Sequence, residues 1–188
     1  MHHAGSTSSV IFDASPVRRF CDAGLLPQLF IYLPKAAIVA EVARELDDAS
    51  KSRKNQAIAD YRDRCRWPHR IAGITSPAHL ADAAILLDIL RKKNPAKDHV
   101  GEVATILRAK ELSTGLVIMD DSDARKFGAR PRNVPTLSTA ALAVEMTRDE
   151  ALEHGEGLKL FLLASDDTDE PTFKKRLNKY RRSRAGRT

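Results

Sequence analysis

The sequence is poor in residues that build several common sites. Its two cysteines, Cys21 and Cys65, form no CxxC motif and no Cys/His cluster, which argues against a thiolate zinc centre. Two isolated thiols behind a start, MHHAGSTSSV, that lacks the basic-then-apolar pattern of an export signal point to a reducing, cytoplasmic setting. No apolar run approaches the length of a bilayer span, so no membrane partner is expected. Aromatic residues make up only 5% of the chain, with no RNP-like motif, leaving little for reading bases by stacking. The glycine patterns GxGxxG and GxxxxGKS/T are missing, which removes the usual phosphate cradles of nucleotide-binding proteins.

Charge is present, and it is unevenly placed. The net charge is +6, yet residues 171–188 alone hold eight Lys and Arg and no acid. The rest of the chain is close to neutral. A basic tail of this kind suits contact with a phosphate backbone, and it serves equally as a solubilising end.

Short apolar runs alternate with helical patterns. SSVIF (8–12) reads as a buried strand ending at Asp13, and Ser15-Pro16 as the cap and first position of a helix from Val17 to Leu26. LFIYLP (29–34) predicts a second strand, KAAIVAEVAREL (35–46) a helix apolar on most sides, and residues 50–66 an exposed charged helix. HRIAGI (69–74) predicts a third strand. SPAHLADAAILLDILRKKN (76–94) predicts an amphipathic helix whose basic end suits the helix dipole. A helix over 98–112 follows, with Asp98 as its cap. Then come the strand of GLVIMDD, a short helix over 122–128, a strand over 133–137 and the apolar helix STAALAVEM (138–146). EGLKLFLLA and TFKKRLNKYRR read as two more helices. The expected organisation is one domain over 8–146 and a helical extension with a basic tail over 147–188. Strands alternating with helices predict an α/β sandwich with a mainly parallel sheet, in which function gathers at the carboxyl ends of the strands.

Several acids stand where acids are awkward. In GLVIMDDSDAR (115–125) an apolar run enters Asp120 and Asp121 directly. Adjacent carboxylates at the end of a buried strand repel each other and resist leaving water, although turns and caps also use Asp. Asp13 ends the first strand, so a parallel sheet places it on the same edge. Glu41 is the only polar residue between Ala36 and Ala43. A lone carboxylate in a buried helix is costly unless it is paired, metal-bound or facing a pocket. Glu102 follows Gly101 at a helix start, where the dipole favours an acid; Asp98 could fill that role instead. Clustered carboxylates suit Mg²⁺ or Mn²⁺, which orient water and neutralise charge at a phosphate.

Taken in order, these acids form a pattern: Asp after the first strand (VIFDAS), Glu in the second helix (IVAEVARE), Glu at a helix start (VGEVATI) and Asp after the next strand (VIMDDSDAR). Over roughly residues 8–146 the set resembles the PIN-domain nucleases. It is most similar to the toxin-like ribonucleases of bacterial toxin–antitoxin modules, in a branch with Gly-Glu at the third acid. The resemblance implies a three-layer α/β/α fold and a metal-dependent endonuclease acting on single-stranded or structured RNA. It makes Asp13, Glu41, Glu102 and Asp121 the catalytic quartet holding Mg²⁺ or Mn²⁺. Asp120 is the alternative for the fourth place, since a one-residue shift exchanges the two. Met119 stands where many relatives carry Ser or Thr. The implied partners are RNA, an antitoxin protein and a second copy in a homodimer. Arg18, Arg125 and the tail are the candidates for attracting the RNA backbone. A non-catalytic PIN-like module binding RNA or protein is the alternative. Phosphohydrolases with an Asp nucleophile carry a second Asp two residues on, where this chain has Ser15.

Overall fold

The computed structural model describes residues 10–51, 56–64, 68–113, 116–129, 134–164 and 169–185. Its strands β1 (Val10–Phe12), β2 (Ala36–Val39), β3 (His69–Ile71), β4 (Leu116–Ile118) and β5 (Thr136–Leu137) are all parallel and lie in the order β3-β2-β1-β4-β5. Ten helices occur among the described residues: α1 (Ala14–Ala23), α2 (Leu26–Tyr32), α3 (Ala40–Ser50), α4 (Gln56–Arg64), α5 (Pro77–Lys93), α6 (Val100–Glu111), α7 (Ser122–Ala129), α8 (Thr139–Arg148), α9 (His154–Ala164) and α10 (Glu170–Ala185). The expected α/β class with a parallel sheet is therefore what the chain adopts. No helix among the described residues is long and apolar enough to cross a membrane.

The strands are short and their apolar residues are buried, as parallel strands require. Ile11, Phe12, Ile38, Val39, Val117 and Ile118 are all fully enclosed. The register sets Phe12 beside Ile118, and the Asp13 amide donates to the Ile118 carbonyl at 2.9 Å. From β1 the chain steps outward to β2 and β3, then returns to the other side of β1 for β4 and β5. The order reverses between β1 and β4, and a crevice at the carboxyl edge of such a point is where ligands of parallel sheets bind.

Four expectations are corrected. LFIYLP is not a strand: Leu26–Tyr32 is helical, burying Leu26, Leu29 and Phe30 at helical spacing and leaving Ile31 82% exposed. KAAIVAEVAREL is not one helix, because Ala36–Val39 pairs with β1 and β3 before α3 begins at Ala40. The first helix begins at Ala14, not Val17. The helix after residue 98 is capped at His99, while Asp98 accepts from Arg91 at 2.8 Å. The charged segment expected to be exposed also contributes to the interior: Ile58 of α4 is 1% exposed, and Arg62 donates to Ser50 at 2.5 Å.

One core cluster spans both expected segments. It runs from Ile11 through α1, α3, β4 and α8 to Leu160 and Phe161 of α9 and Phe173 and Leu177 of α10. The rings of Phe161 and Phe173 meet with centroids 5.1 Å apart. Lys159 ties α9 to the end of α1 by donating to the Ala23 carbonyl at 2.8 Å. A smaller cluster, Leu86, Leu90, Val103 and Leu107, joins α5 to α6. Glu111 reinforces that joint by accepting from the Ser76 amide at 2.7 Å and the Arg108 guanidinium at 2.6 Å.

Because Phe173 is fully buried, Phe173→Ala should lower stability by about 3–5 kcal/mol. Chemical denaturation followed by circular dichroism measures it. A cost below about 1 kcal/mol would mean that α10 is not part of the cooperative core.

Candidate metal centre at the carboxyl edge of the sheet

Asp13, the first residue after β1, is 2% exposed. It occupies the N-cap position of α1 without making a side-chain cap bond, so ordinary capping does not explain it. Burial first, and then the nearby Glu102 carboxylate, push its carboxyl up to about 8. Glu45 adds to the rise, while the Ala14 amide and the Lys97 ammonium oppose it.

Glu102 reaches the same place from the first turn of α6 and is 4% exposed. Its Oε1 is in direct contact with the Lys97 ammonium. Lys97 also donates to Asp121 Oδ2 at 3.1 Å, so one cation bridges two carboxylates. Those contacts outweigh the effect of burial and hold the Lys97 ammonium well above its ordinary range.

The two aspartates after β4 part company, as alternation along an extended backbone requires. Asp120 accepts from the Thr139 amide at 2.8 Å and the Thr139 hydroxyl at 2.9 Å, tying β4 to the start of α8. Burial raises its carboxyl against those bonds. Asp121 turns towards Lys97 and Glu102 instead. Its Oδ1 accepts from the Asp123 and Ala124 amides at 3.0 and 2.9 Å, opening α7, and its Oδ2 faces Lys97. Burial would raise its carboxyl, but the Ala124 amide and the Lys97 ammonium outweigh it and hold the group low.

Glu41 does not join these residues in the same way. It lies in the first turn of α3, half-buried, with Arg44 at 3.9 Å, and its carboxylate fills the space where a Gly73 side chain would begin. Its Oε2 is buried without a hydrogen-bond partner. Glu45, one turn further along α3, is the glutamate that approaches Asp13. A Cβ placed on Gly101 would meet Glu45 Oε2 at 3.3 Å and Asp13 Oδ1 at 3.6 Å, so the missing side chain lets both acids close in. Burial raises the Glu45 carboxyl, the Arg18 ion pair at 2.8 Å lowers it, and Glu102 raises it further.

The sequence patterns did not single out Glu45, Lys97 or His99. Glu45 had a usable signal: beginning the helix at Ala40 puts Glu41 and Glu45 one turn apart on one face. His99 lies three residues before Glu102 and is 3% exposed. Lys97 belongs to a loop, and nothing in its surroundings marks it. Arg18 and Arg125, expected at the rim, already have partners: Arg18 pairs with Glu45, and Arg125 donates to the carbonyls of Met119 and Asp120 at 2.9 and 2.5 Å.

Four carboxylates, Asp13, Glu45, Glu102 and Asp121, thus face two cationic side chains, Lys97 and Arg18. The balance is negative, and it centres on two buried acids, Asp13 and Glu102, with Glu45, Lys97 and Arg18 reaching out to solvent. One ligand atom each from His99, Glu102 and Asp121 lie within 4.8 Å of one another, so the cluster could hold a metal ion. The cleft of about 320 Å³ bounded by Thr147, Arg148, Leu152 and Leu177 lies elsewhere and contains none of these acids. No family model and no curated protein matches the sequence.

The raised Asp13 carboxyl has a definite consequence for stability. Unfolded, the group titrates near 3.8; folded, near 8. The folded state therefore keeps a proton that the unfolded state has lost. This contribution is complete below about pH 4 and disappears as pH rises through 8. In EDTA, Asp13→Asn should match wild type only near pH 4, and its advantage should grow as pH rises, to a melting temperature at least about 2–4 °C higher at pH 8. A gap that does not grow with pH in thermal melts would refute the account.

Proposed function

We propose that this chain is a metal-dependent endoribonuclease of the PIN type, with a three-layer α/β/α body, resembling the toxins of toxin–antitoxin pairs. The observation that carries the reading is that Glu102 and Asp121 come within ligand distance at the reversal point of the parallel sheet, with the buried Asp13 beside Glu102. In this reading Asp13, Glu102 and Asp121 hold Mg²⁺ or Mn²⁺, and Glu45 takes the place that the resemblance gives to Glu41. The donor set fits a hard divalent cation, since carboxylate oxygens dominate and the Lys97 ammonium already sits among them as a positive stand-in. The bound cation supplies a polarised water and neutralises charge on the phosphate.

The chain's own residues do the remaining work. Asp121 is held in one orientation by the amides of α7, leaving Oδ2 free to turn to a cation. Asp13 is the group that releases its proton when positive charge enters, because burial and Glu102 are what keep it protonated. Arg18 holds Glu45 against the cluster. The exposed Lys174, Lys175 and Lys179 of α10 offer charge to a phosphate backbone. An antitoxin protein, and a second copy in a homodimer, are the protein partners consistent with the reading.

One observation favours a second reading. Lys97 bonds Glu102 and Asp121 directly, as it would in a non-catalytic PIN-like module whose acids are permanently neutralised. A mixed single-stranded RNA pool separates the two. Wild type should cut it with Mg²⁺ or Mn²⁺ and stop in EDTA. Asp13→Asn should lower cleavage on the order of 10²-fold or more. Glu45→Gln should lose more activity than Glu41→Gln. No cleavage, together with no heat of Mn²⁺ binding at millimolar concentration, would favour the non-catalytic module.

A further inference from the structure

His99 is an unusual residue to find beside a set of carboxylates. Its backbone is in the left-handed region at φ 62°, which non-glycine residues rarely adopt and which here begins α6. Its side chain is 2% exposed. The ring nitrogen Nε2 lies 3.2 Å from the Asn94 carbonyl, which can only accept a hydrogen bond. In the neutral ring the proton is therefore on Nε2, and Nδ1 carries the free lone pair. That Nδ1 is buried, has no hydrogen-bond partner, and lies 3.9 Å from Glu102 Oε1. Glu102 Oε1 is also the oxygen that Lys97 contacts.

A buried nitrogen lone pair without a partner is costly, and so is the backbone strain that aims it. An imidazole fixed at one nitrogen by a carbonyl, with the other facing carboxylates, is the usual posture of a metal-ligating histidine. The spacing agrees. The ligand atoms of His99, Glu102 and Asp121 fall within 4.8 Å of one another, close to the separation of opposite ligands about an ion with bonds of about 2.1 Å.

We propose that His99 Nδ1 is a direct metal ligand, which makes this centre a mixed nitrogen–oxygen site that prefers Mn²⁺ or Co²⁺ to Mg²⁺. The inference rests on the proposed carboxylate centre and adds a ligand to it. Imidazole strengthens binding of transition metals along the series from manganese to copper and adds little for magnesium, which favours oxygen. Lys97, which now bridges Glu102 and Asp121, withdraws as the ion enters. Its loop position, 39% exposed, leaves it room to do so.

The test compares full-length wild type with His99→Asn, whose amide lacks the imidazole nitrogen and whose backbone tolerates the left-handed conformation. Binding of Mn²⁺, Co²⁺ and Mg²⁺ is measured by calorimetry, and Mn²⁺ ligation by pulsed electron paramagnetic resonance. Wild type should show nitrogen coupling to bound Mn²⁺, and the variant should lose it. Co²⁺ affinity should fall at least about tenfold, while Mg²⁺ affinity stays within about twofold. His99→Gln provides a second measurement should the first variant fold poorly. Bound Mn²⁺ without nitrogen coupling, or unchanged Co²⁺ affinity, would overturn the inference and leave the nuclease reading standing. Nitrogen-coupled Mn²⁺ on a protein that cuts no RNA would support the inference and sink the nuclease reading. An absence of any divalent binding would overturn both.

Discussion

The pairing of β1 with β4 is the constraint from which the rest of the site follows. Setting Phe12 beside Ile118 carries Asp13 and Asp121 to one edge, and α6 brings Glu102 to meet them. Like charges about 4 Å apart cost on the order of 4 kcal/mol at an effective dielectric near 20. The chain answers this cost separately for each acid. Asp13 holds its proton, Glu102 and Asp121 share Lys97, Asp121 also takes two helix amides, and Glu45 takes Arg18. Asp120, one residue away, accepts from the Thr139 amide and hydroxyl. The arrangement is stable enough to form, yet it remains short of positive charge.

That shortfall links stability to function. The side chains that make the cluster tolerable are monovalent and replaceable: a proton on Asp13 and an ammonium on a half-exposed lysine. A divalent ion would displace both and satisfy His99 as well. The hydrophobic core beneath includes Ile11 and Val117, the strand residues that carry this edge. Gly101 belongs to the same design, because a side chain there would press on Glu45 and Val42 and come into contact with Asp13.

Much of this was legible in the sequence where strands were short, buried and bounded. VIF and LVI fall inside the strands read from the sequence, and HRI is the first half of the strand read over HRIAGI. The parallel sheet followed from alternation, and the pairing of distant acids followed from the sheet. What failed were stretches in which composition and period disagreed. LFIYLP is rich in strand-forming residues, but Leu26, Leu29 and Phe30 repeat at helical spacing, and packing against the core decides. AAIV merged with the helix after it because alanine is a good helix former, although a central strand buried on both faces has no polar residue to mark its end. Lys97 and His99 were invisible because their roles come from a loop conformation that no periodicity encodes.

The last two helices carry a consequence for the order in which the protein is built. Every residue of the acid cluster lies at or before Asp121, whereas Phe161 and Phe173 complete the core against elements made much earlier. During synthesis, which proceeds from the N-terminus, the charged edge is assembled while the hydrophobic body is still open. The core is not complete until α10 arrives. The same helix concentrates the chain's net positive charge, with seven Lys and Arg against one acid, so the segment that closes the core is also the one suited to meet a phosphate backbone.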